Sequence, residues 1–179
     1  MKYACVLLMM GLVSSFASPS RVWAGEGPWG LRAPAVAGQF YPGTADELKA
    51  AVSSYLTKAK PPFSCASESR VVALIVPHAG YVFSGATAGL GFRALENVSF
   101  DRYCFLGVDH RSGLSTISVW PDGGFDTPLG PAPVDGSFTR RLLENGPPVT
   151  AESSQHVAEH SIEVLVPFFQ VVFEGKSAT

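Results

Sequence analysis

Two apolar runs in this chain each end close to a histidine, and a stretch of helical character separates them. The first run, residues 70–76, is rich in β-branched residues and continuously hydrophobic, which is typical of a strand buried on both faces. The second run, residues 102–107, is predicted as a strand as well. Residues 84–95 between them are predicted as a helix whose glycines allow close packing on a sheet. A strand, helix, strand order predicts a parallel pair, whose carboxyl ends lie at one edge of the sheet.

Three other patterns predict helices. Residues 45–58 place apolar side chains on one helical face, behind a capping box formed by Thr44 and Glu47. Asp135 is a predicted N-cap of a helix that runs to Glu144. Residues 157–173 are strongly apolar and predicted to be helical, with a kink or new turn at Pro167.

The alternation of strands and helices predicts an α/β fold. Residues 116–120 add a third predicted strand, and residues 121–124 form a loop after it. We expect a three-layer α/β/α arrangement with a parallel or mixed central sheet. Because only three or four strands are supplied, we expect the domain over residues 25–179 to be truncated at its C-terminus.

The first 24 residues have the pattern of a secretory signal peptide. Lys2 precedes an apolar stretch over residues 4–17, and a small-residue pattern ending at Ala24 suits signal peptidase. The alternative is a membrane anchor, but this stretch is shorter than the ~20 residues needed to span a bilayer. We therefore expect an exported chain, periplasmic or secreted, with residues 1–24 removed.

The charge of the chain bears on its possible partners, and its cysteines bear on a possible disulfide. Removing the leader takes away Lys2 and Arg21 and no acid, so the net charge falls from −2 to about −4. The sequence has no basic stripe of the kind that nucleic-acid-binding proteins show. After residue 24 no segment is long and apolar enough to cross a membrane. Cys65 and Cys104 remain. They can form a disulfide, but a buried, unpaired Cys104 within its predicted strand is the favoured alternative.

The two strand-end histidines are the strongest candidates for chemistry. Adjacent strands lie about 4.8 Å apart, so the imidazoles of His78 and His110 are expected roughly 5 to 10 Å apart at one sheet edge. Neutral imidazole binds iron, copper and zinc. Two ligands do not make a tight site, so a third must come from elsewhere. Asp109 should point to the opposite face of its strand.

The segment His156-Val157-Ala158-Glu159-His160 offers a competing interpretation. It has the pattern H-x-x-E-H, in which two histidines on one helical face hold zinc and the glutamate is a general base. Such a zinc peptidase also needs a distant carboxylate ligand, and Glu163 is too near in sequence to be one. We expect this function less than the others.

Five ordered strings along the chain resemble the Memo family, also called protein B of the AmmeMemoRadiSam system. They cover nearly all of the mature chain and correspond to the N-terminal half of family members. The strings are P-A-V-A-G-Q-F-Y-P at 34–42, V-P-H-A-G-Y-V-F-S-G at 76–85, L-G-V-D-H-R at 106–111, T-P-L-G at 127–130 with Asp135, and E-H-S-I-E-V at 159–164 with Pro167 and Phe168.

The resemblance implies a fold similar to the class III extradiol dioxygenases (LigB-like) and a redox-active metal, iron or copper, in a pocket at the sheet edge. It implies that His78 and His110 are metal ligands. It also implies that His160 faces the pocket, where we expect it to transfer protons or orient substrate. The family carries G-P-S-H where this chain has Gly-Val-Asp-His ending at His110. A further ligand, a cysteine, belongs to the half that this chain does not match, so we expect the third ligand to be absent here.

The leading expectation is a Memo-like, metal-dependent oxidoreductase of the dioxygenase type, with a small molecule or a peptide in its cleft. One alternative is a non-catalytic module that binds a peptide or a protein in the same cleft. The other is an inactive fragment. Nothing in the patterns indicates an oligomeric state.

Overall fold

The computed structural model describes residues 30–60, 71–98, 100–111, 113 and 115–175. The predicted leader over residues 1–24 lies outside the described residues, as does Cys65, so export and a disulfide stay predictions. Cys104 is a free cysteine and is buried, which agrees with the unpaired alternative. Burial raises the pKa of its thiol to about 12.

Short strands and helices are interspersed along the described residues, and the expected α/β class is confirmed. Strands β1, β3 and β4 form a mixed sheet in the order β1-β3-β4, with β1 parallel and β4 antiparallel to β3. Strands β2 and β5 pair in parallel. None of the helices in the described ranges has the length and apolar character needed to cross a membrane. The elements are β1 (Leu31–Arg32), α1 (Ala45–Lys58), α2 (Tyr81–Arg93), β2 (Ile117–Ser118), β3 (Gly124–Phe125), β4 (Ala132–Pro133), α3 (Gly136–Glu144), β5 (Val149–Thr150), α4 (Ser154–Val157), a 3-10 turn (Glu163–Leu165) and α5 (Val166–Val172).

Helices α1, α2 and α5 pack together to form the main core. Phe92 of α2 stacks on Phe168 of α5, with ring centroids 5.4 Å apart, and both side chains are fully buried. Two glycines let α2 approach α1 closely. A Cβ atom at Gly85 or Gly89 would lie only 2.7 or 2.8 Å from Tyr55. This close contact explains why the predicted helix tolerates glycine.

The helix predictions for residues 45–144 are confirmed with small shifts. Helix α1 has the predicted bounds, and α2 begins at Tyr81 rather than at residue 84. Asp135 caps α3 by accepting a hydrogen bond from the Phe138 amide. The capping box at α1 is not formed as expected. The Thr44 hydroxyl donates to the Glu47 carboxylate at 2.7 Å and caps no backbone amide.

The two histidine-terminated runs are not buried strands, so this prediction is wrong. Within residues 71–76 and 102–107, only Ala73 and Cys104 are bridge residues. Leu74 and Val76 lie against Gly91 of α2, but Ile75 is 87% exposed. One face of the first run therefore packs on α2, and no described element covers Ile75 on the other. A strand ladder needs paired neighbours, and a strand buried on both faces needs two covering layers.

The predicted helix over residues 157–173 is confirmed only in its second half, because a loop replaces helical structure before Glu163. Helix α4 ends at Val157, and helical structure resumes at Glu163. Between them, the Glu159 carboxylate accepts hydrogen bonds from the amides of His160 and Ser161. These side-chain bonds compete with helical ones. Pro167 lies in the first turn of α5, where its missing N–H costs no hydrogen bond.

Candidate metal centre

Three histidines from distant parts of the chain meet at one place. The Nε2 atoms of His78 and His110 lie 3.4 Å apart. The ring of His160 stacks on that of His110 with a centroid separation of 4.8 Å and an interplanar angle of 12°, and its centroid is 6.4 Å from that of His78. The structure therefore brings together all three sequence-predicted site residues, although the strands expected to carry two of them are not formed.

The loop that carries His78 is held where it joins α2. It leads into α2, whose first amide, that of Tyr81, donates to the carbonyl of Phe40 at 2.7 Å. The hydroxyl of Ser84 donates to the carbonyl of Ala79 at 2.8 Å. These bonds hold the turn between His78 and α2.

Glu159 orients His110 through two contacts. Its Oε1 lies 2.9 Å from His110 Nδ1, and its Oε2 accepts the His110 amide at 2.8 Å. Burial alone would raise the pKa of Glu159. The hydrogen bonds from His110, Ser161 and His160 outweigh burial and hold the pKa at about 2. An ionised carboxylate at Nδ1 keeps the proton there and leaves the Nε2 lone pair directed at His78.

His160 contributes a buried polar atom without a hydrogen-bond partner. Its Nδ1 forms no hydrogen bond with any described residue, and Glu159 Oε1 lies 3.6 Å from it. The ring edge contacts Phe40, with centroids 4.8 Å apart. One donor atom from each of His110, Glu159 and His160 lies within 4.8 Å of the other two. Asp109 is not part of this group, and its carboxylate accepts the amide of Arg111 at 2.9 Å.

The pKa of His78 lies below its ordinary value. Burial is the largest cause, and the neighbouring imidazoles of His110 and His160 lower it further. The ring is therefore neutral near pH 7, which is the protonation state in which imidazole binds a metal ion.

The donor set fits a metal ion of the kind the family resemblance implies. Two nitrogens bonded to one ion at about 2.0–2.1 Å in tetrahedral geometry lie about 3.3–3.4 Å apart. The observed Nε2 separation is 3.4 Å. A carboxylate on the far nitrogen of a ligating histidine is the usual outer contact of such a site. Iron, copper and zinc all accept imidazole ligands.

The H-x-x-E-H prediction of two histidines on one helical face is wrong. His156 is in α4, whereas Glu159 and His160 lie beyond the end of that helix. The Nε2 atom of His156 is 3.0 Å from Ser118 Oγ, and its ring packs edge-on against Trp120. His156 is thus turned toward β2 and is not in the three-histidine cluster, so the geometry does not support a zinc peptidase.

Two residues of the site were not predicted. The H-x-x-E-H pattern gives Glu159 only the role of a general base, and its contact with His110 follows from the loop that replaces the predicted helix. Arg32 contacts the backbone of that loop at His156 and Glu159. A charged residue in a predominantly extended lead-in gives no signal of such a role. Its buried partner, Glu163, enters the sequence reasoning only as part of the E-H-S-I-E-V string and as a carboxylate too near to be the third ligand of a peptidase.

Comparison with known proteins bears on the same residues. A sequence model described as Memo-like protein matches residues 32–177, which include all four histidines of the chain. The chain belongs to the Memo-like family. It is 38% identical over 149 residues to a MEMO1 family protein of Thermoplasma volcanium, covering 83% of this chain and 53% of that protein.

Other Memo relatives give the same picture. A MEMO1 family protein of Thermoplasma acidophilum is 34% identical over 142 residues, covering 79% of this chain and 51% of the relative. One from Thermotoga maritima is 38% identical over 151 residues, covering 79% and 54%. The chain therefore spans about half the length of the curated relatives it matches. The resemblance noted from the motifs is confirmed at the level of the family.

Proposed function

We propose that this Memo-family chain binds iron or copper through His78 Nε2 and His110 Nε2 and acts as a metal-dependent oxidoreductase of the dioxygenase type. The observation that supports it is the 3.4 Å separation of the two Nε2 atoms, which is the separation of two ligands on one ion. Bound iron or copper would supply redox chemistry and a polarising charge for a substrate.

The chain's own residues would prepare the ligands. Glu159 holds a proton on His110 Nδ1, so that Nε2 is free to bind. His160 would hold or pass a proton at Nδ1, the atom without a hydrogen-bond partner among the described residues. Phe40 restricts the rotation of the His160 ring by edge contact. The third ligand is proposed to come from outside the matched half, as the resemblance implies, and the substrate is not identified.

The test is metal stoichiometry in a double variant. Purified chain is stripped with chelator and dialysed anaerobically to equilibrium against Fe(II) or Cu(I), and the ion inside and outside the dialysis membrane is measured by mass spectrometry of the elements. Because two ligands alone do not make a tight site, we expect wild type to bind close to one ion per chain only at saturating ion and His78→Ala/His110→Ala to bind almost none. His156→Ala is the matched control, because it removes an imidazole that contacts Ser118 rather than the cluster. Equal binding by the double variant would refute the proposal.

A second candidate function is binding of a peptide without catalysis. It is favoured by two exposed apolar side chains at the start of α2, within the V-P-H-A-G-Y-V-F-S-G string that contains His78. Val82 is 90% exposed and Phe83 is 87% exposed. They would contact apolar side chains of a peptide in the cleft. A chain that binds neither metal at saturating ion, yet binds a fluorescent hydrophobic peptide in a manner abolished by Phe83→Ser, would support this candidate over the first.

A further inference from the structure

Arg32 is buried in β1 and donates three hydrogen bonds from its guanidinium group. Nη1 donates to the Glu163 carboxylate at 2.9 Å, and both side chains are almost completely shielded from solvent. Nε donates to the carbonyl of His156 at 2.6 Å, and Nη2 donates to the carbonyl of Glu159. The guanidinium thus contacts the backbone of His156 in α4 and of Glu159, the residue whose carboxylate contacts His110.

Glu163 fixes the position of this guanidinium. Besides Arg32, its carboxylate accepts the amides of Ala35 and Val36 at 2.8 and 2.9 Å and the Tyr41 hydroxyl at 2.7 Å. Each carboxylate oxygen therefore accepts two hydrogen bonds. A buried carboxylate with four donors cannot reorient without leaving donors unsatisfied. The Arg32 guanidinium is held in place from the side opposite the loop.

The other end of the loop is held independently. The Ser161 hydroxyl donates to the Val108 carbonyl at 2.9 Å, close to His110 in the chain. Glu159 therefore lies between two fixed points. Its own carbonyl accepts a hydrogen bond from the Arg32 guanidinium, and two residues later the Ser161 hydroxyl bonds to the Val108 carbonyl. Its carboxylate reaches His110 Nδ1 from this backbone position.

We propose that Arg32 is a positioning residue for the candidate metal centre. By holding the carbonyls of His156 and Glu159, it places the Glu159 carboxylate on His110 Nδ1 and so selects the His110 tautomer whose Nε2 faces His78. This inference rests on the proposed function for its effect on metal, but the tautomer effect does not require that a metal binds. Arg32 touches neither metal nor substrate in this proposal.

The role depends on the shape of arginine as well as its charge. Lysine has one ammonium nitrogen and can neutralise Glu163, but it cannot present three nitrogens in a rigid plane to a carboxylate and two carbonyls. Arg32→Lys therefore retains the charge pair with Glu163 and removes the guanidinium hydrogen bonds to the carbonyls of His156 and Glu159. Tyr41→Phe is the matched control, since it weakens the same Glu163 carboxylate on the side away from the loop.

The experiment compares wild type, Arg32→Lys and Tyr41→Phe by two readouts. The first is the tautomer of His110 in metal-free protein, from the ring-nitrogen chemical shifts in NMR spectra. We expect predominantly the Nδ1–H form in wild type and Tyr41→Phe, and a mixture in Arg32→Lys. The second is Fe(II) affinity by competition with a chromogenic chelator. We expect it to fall about tenfold in Arg32→Lys and to be unchanged in Tyr41→Phe.

The outcomes are distinguishable. An Arg32→Lys protein with the wild-type tautomer and the wild-type affinity overturns the inference. A wild type that binds neither Fe(II) nor Cu(I) overturns the proposed function, while the tautomer readout still decides the role of Arg32.

A measurement on the unmodified chain covers the case in which Arg32→Lys does not fold. Titration with Zn²⁺, a diamagnetic imidazole-binding ion, is expected to shift the Arg32 Nε–H resonance together with the His110 ring and not the Ala35 amide. An Arg32 resonance that stays unmoved while the His110 ring shifts would overturn the inference.

Discussion

Replacing Glu163 by glutamine tests how the N-terminal segment is fastened to the rest of the chain. The substitution keeps the size and shape of the side chain. It removes the charge that pairs with Arg32 and replaces one oxygen by an NH₂ group. That group must face either Arg32 and the Ala35 amide or the Val36 amide and the Tyr41 hydroxyl, which are all donors.

The expected cost of Glu163→Gln is large because both partners are buried. The side chains of Arg32 and Glu163 are 2% and 0% exposed. Leaving one member of a buried ion pair uncompensated typically costs about 3–5 kcal/mol. That cost includes the two buried donors that would face the NH₂ group and so lose their acceptor. We therefore expect the free energy of unfolding to fall by about 4 kcal/mol, a large share of the ~5–15 kcal/mol of an ordinary domain.

The assay is equilibrium urea unfolding at pH 7, followed by circular dichroism and by tryptophan fluorescence, to which the buried Trp120 contributes. Tyr41→Phe removes one of the four donors and leaves the charge, so it should cost about 1–2 kcal/mol. The denaturant slope should stay the same in both variants. A loss below about 1 kcal/mol for Glu163→Gln would refute the description of this carboxylate as a buried, four-donor anchor.

Two further predictions follow, one from the packing of α2 on α1 and one from the low pKa of Glu159. Gly89→Ala should destabilise the chain by about 1–3 kcal/mol despite the better helix propensity of alanine, because its Cβ would lie 2.8 Å from Tyr55 Cβ and 3.0 Å from its backbone carbon. Thr87→Ala on the exposed side of α2 is the control and should be neutral or slightly stabilising, and a stabilising Gly89→Ala in urea unfolding would contradict the close contact. The depressed pKa of Glu159 should make the metal-free chain lose up to about 3 kcal/mol as the pH falls from about 4.5 to about 2, since the unfolded state binds the proton first. Glu159→Gln should flatten this part of the stability profile in acid titrations of unfolding, and an unchanged acid slope would show that other groups cause it.

Local signals predicted α1, α2 and α3 well, but they predicted the last helix and the tertiary context of the apolar runs poorly. The bounds of α1 and the cap of α3 at Asp135 depend on side-chain periodicity and on one short-range hydrogen bond, both of which are visible in sequence. The apolar run over residues 70–76 satisfies the pattern of a doubly covered strand. Whether a second layer covers Ile75 depends on residues distant in sequence, and that information is not contained in the run itself.

The three histidines of the site were located from sequence, but their arrangement was not explained. Parallel-strand reasoning placed His78 and His110 together, and the structure brings them together through a loop before α2 and an unpaired segment instead. The contact of Glu159 with His110 could not be read from H-x-x-E-H, because that pattern predicts a helix. The loop forms because side-chain hydrogen bonds of Glu159 and the guanidinium hydrogen bonds of Arg32 replace helical hydrogen bonds.

The Glu163 anchor also sets the order in which this chain can become organised. Its partners Arg32 and Tyr41 lie 131 and 122 positions away from it in sequence. Closing so long a loop costs conformational entropy before these contacts contribute any stabilisation. During synthesis, Arg32 and Tyr41 therefore cannot make these contacts until the chain has been made as far as Glu163. The loop with Glu159 and His160 takes its final shape only then, so the three-histidine cluster is a product of complete folding rather than of local structure.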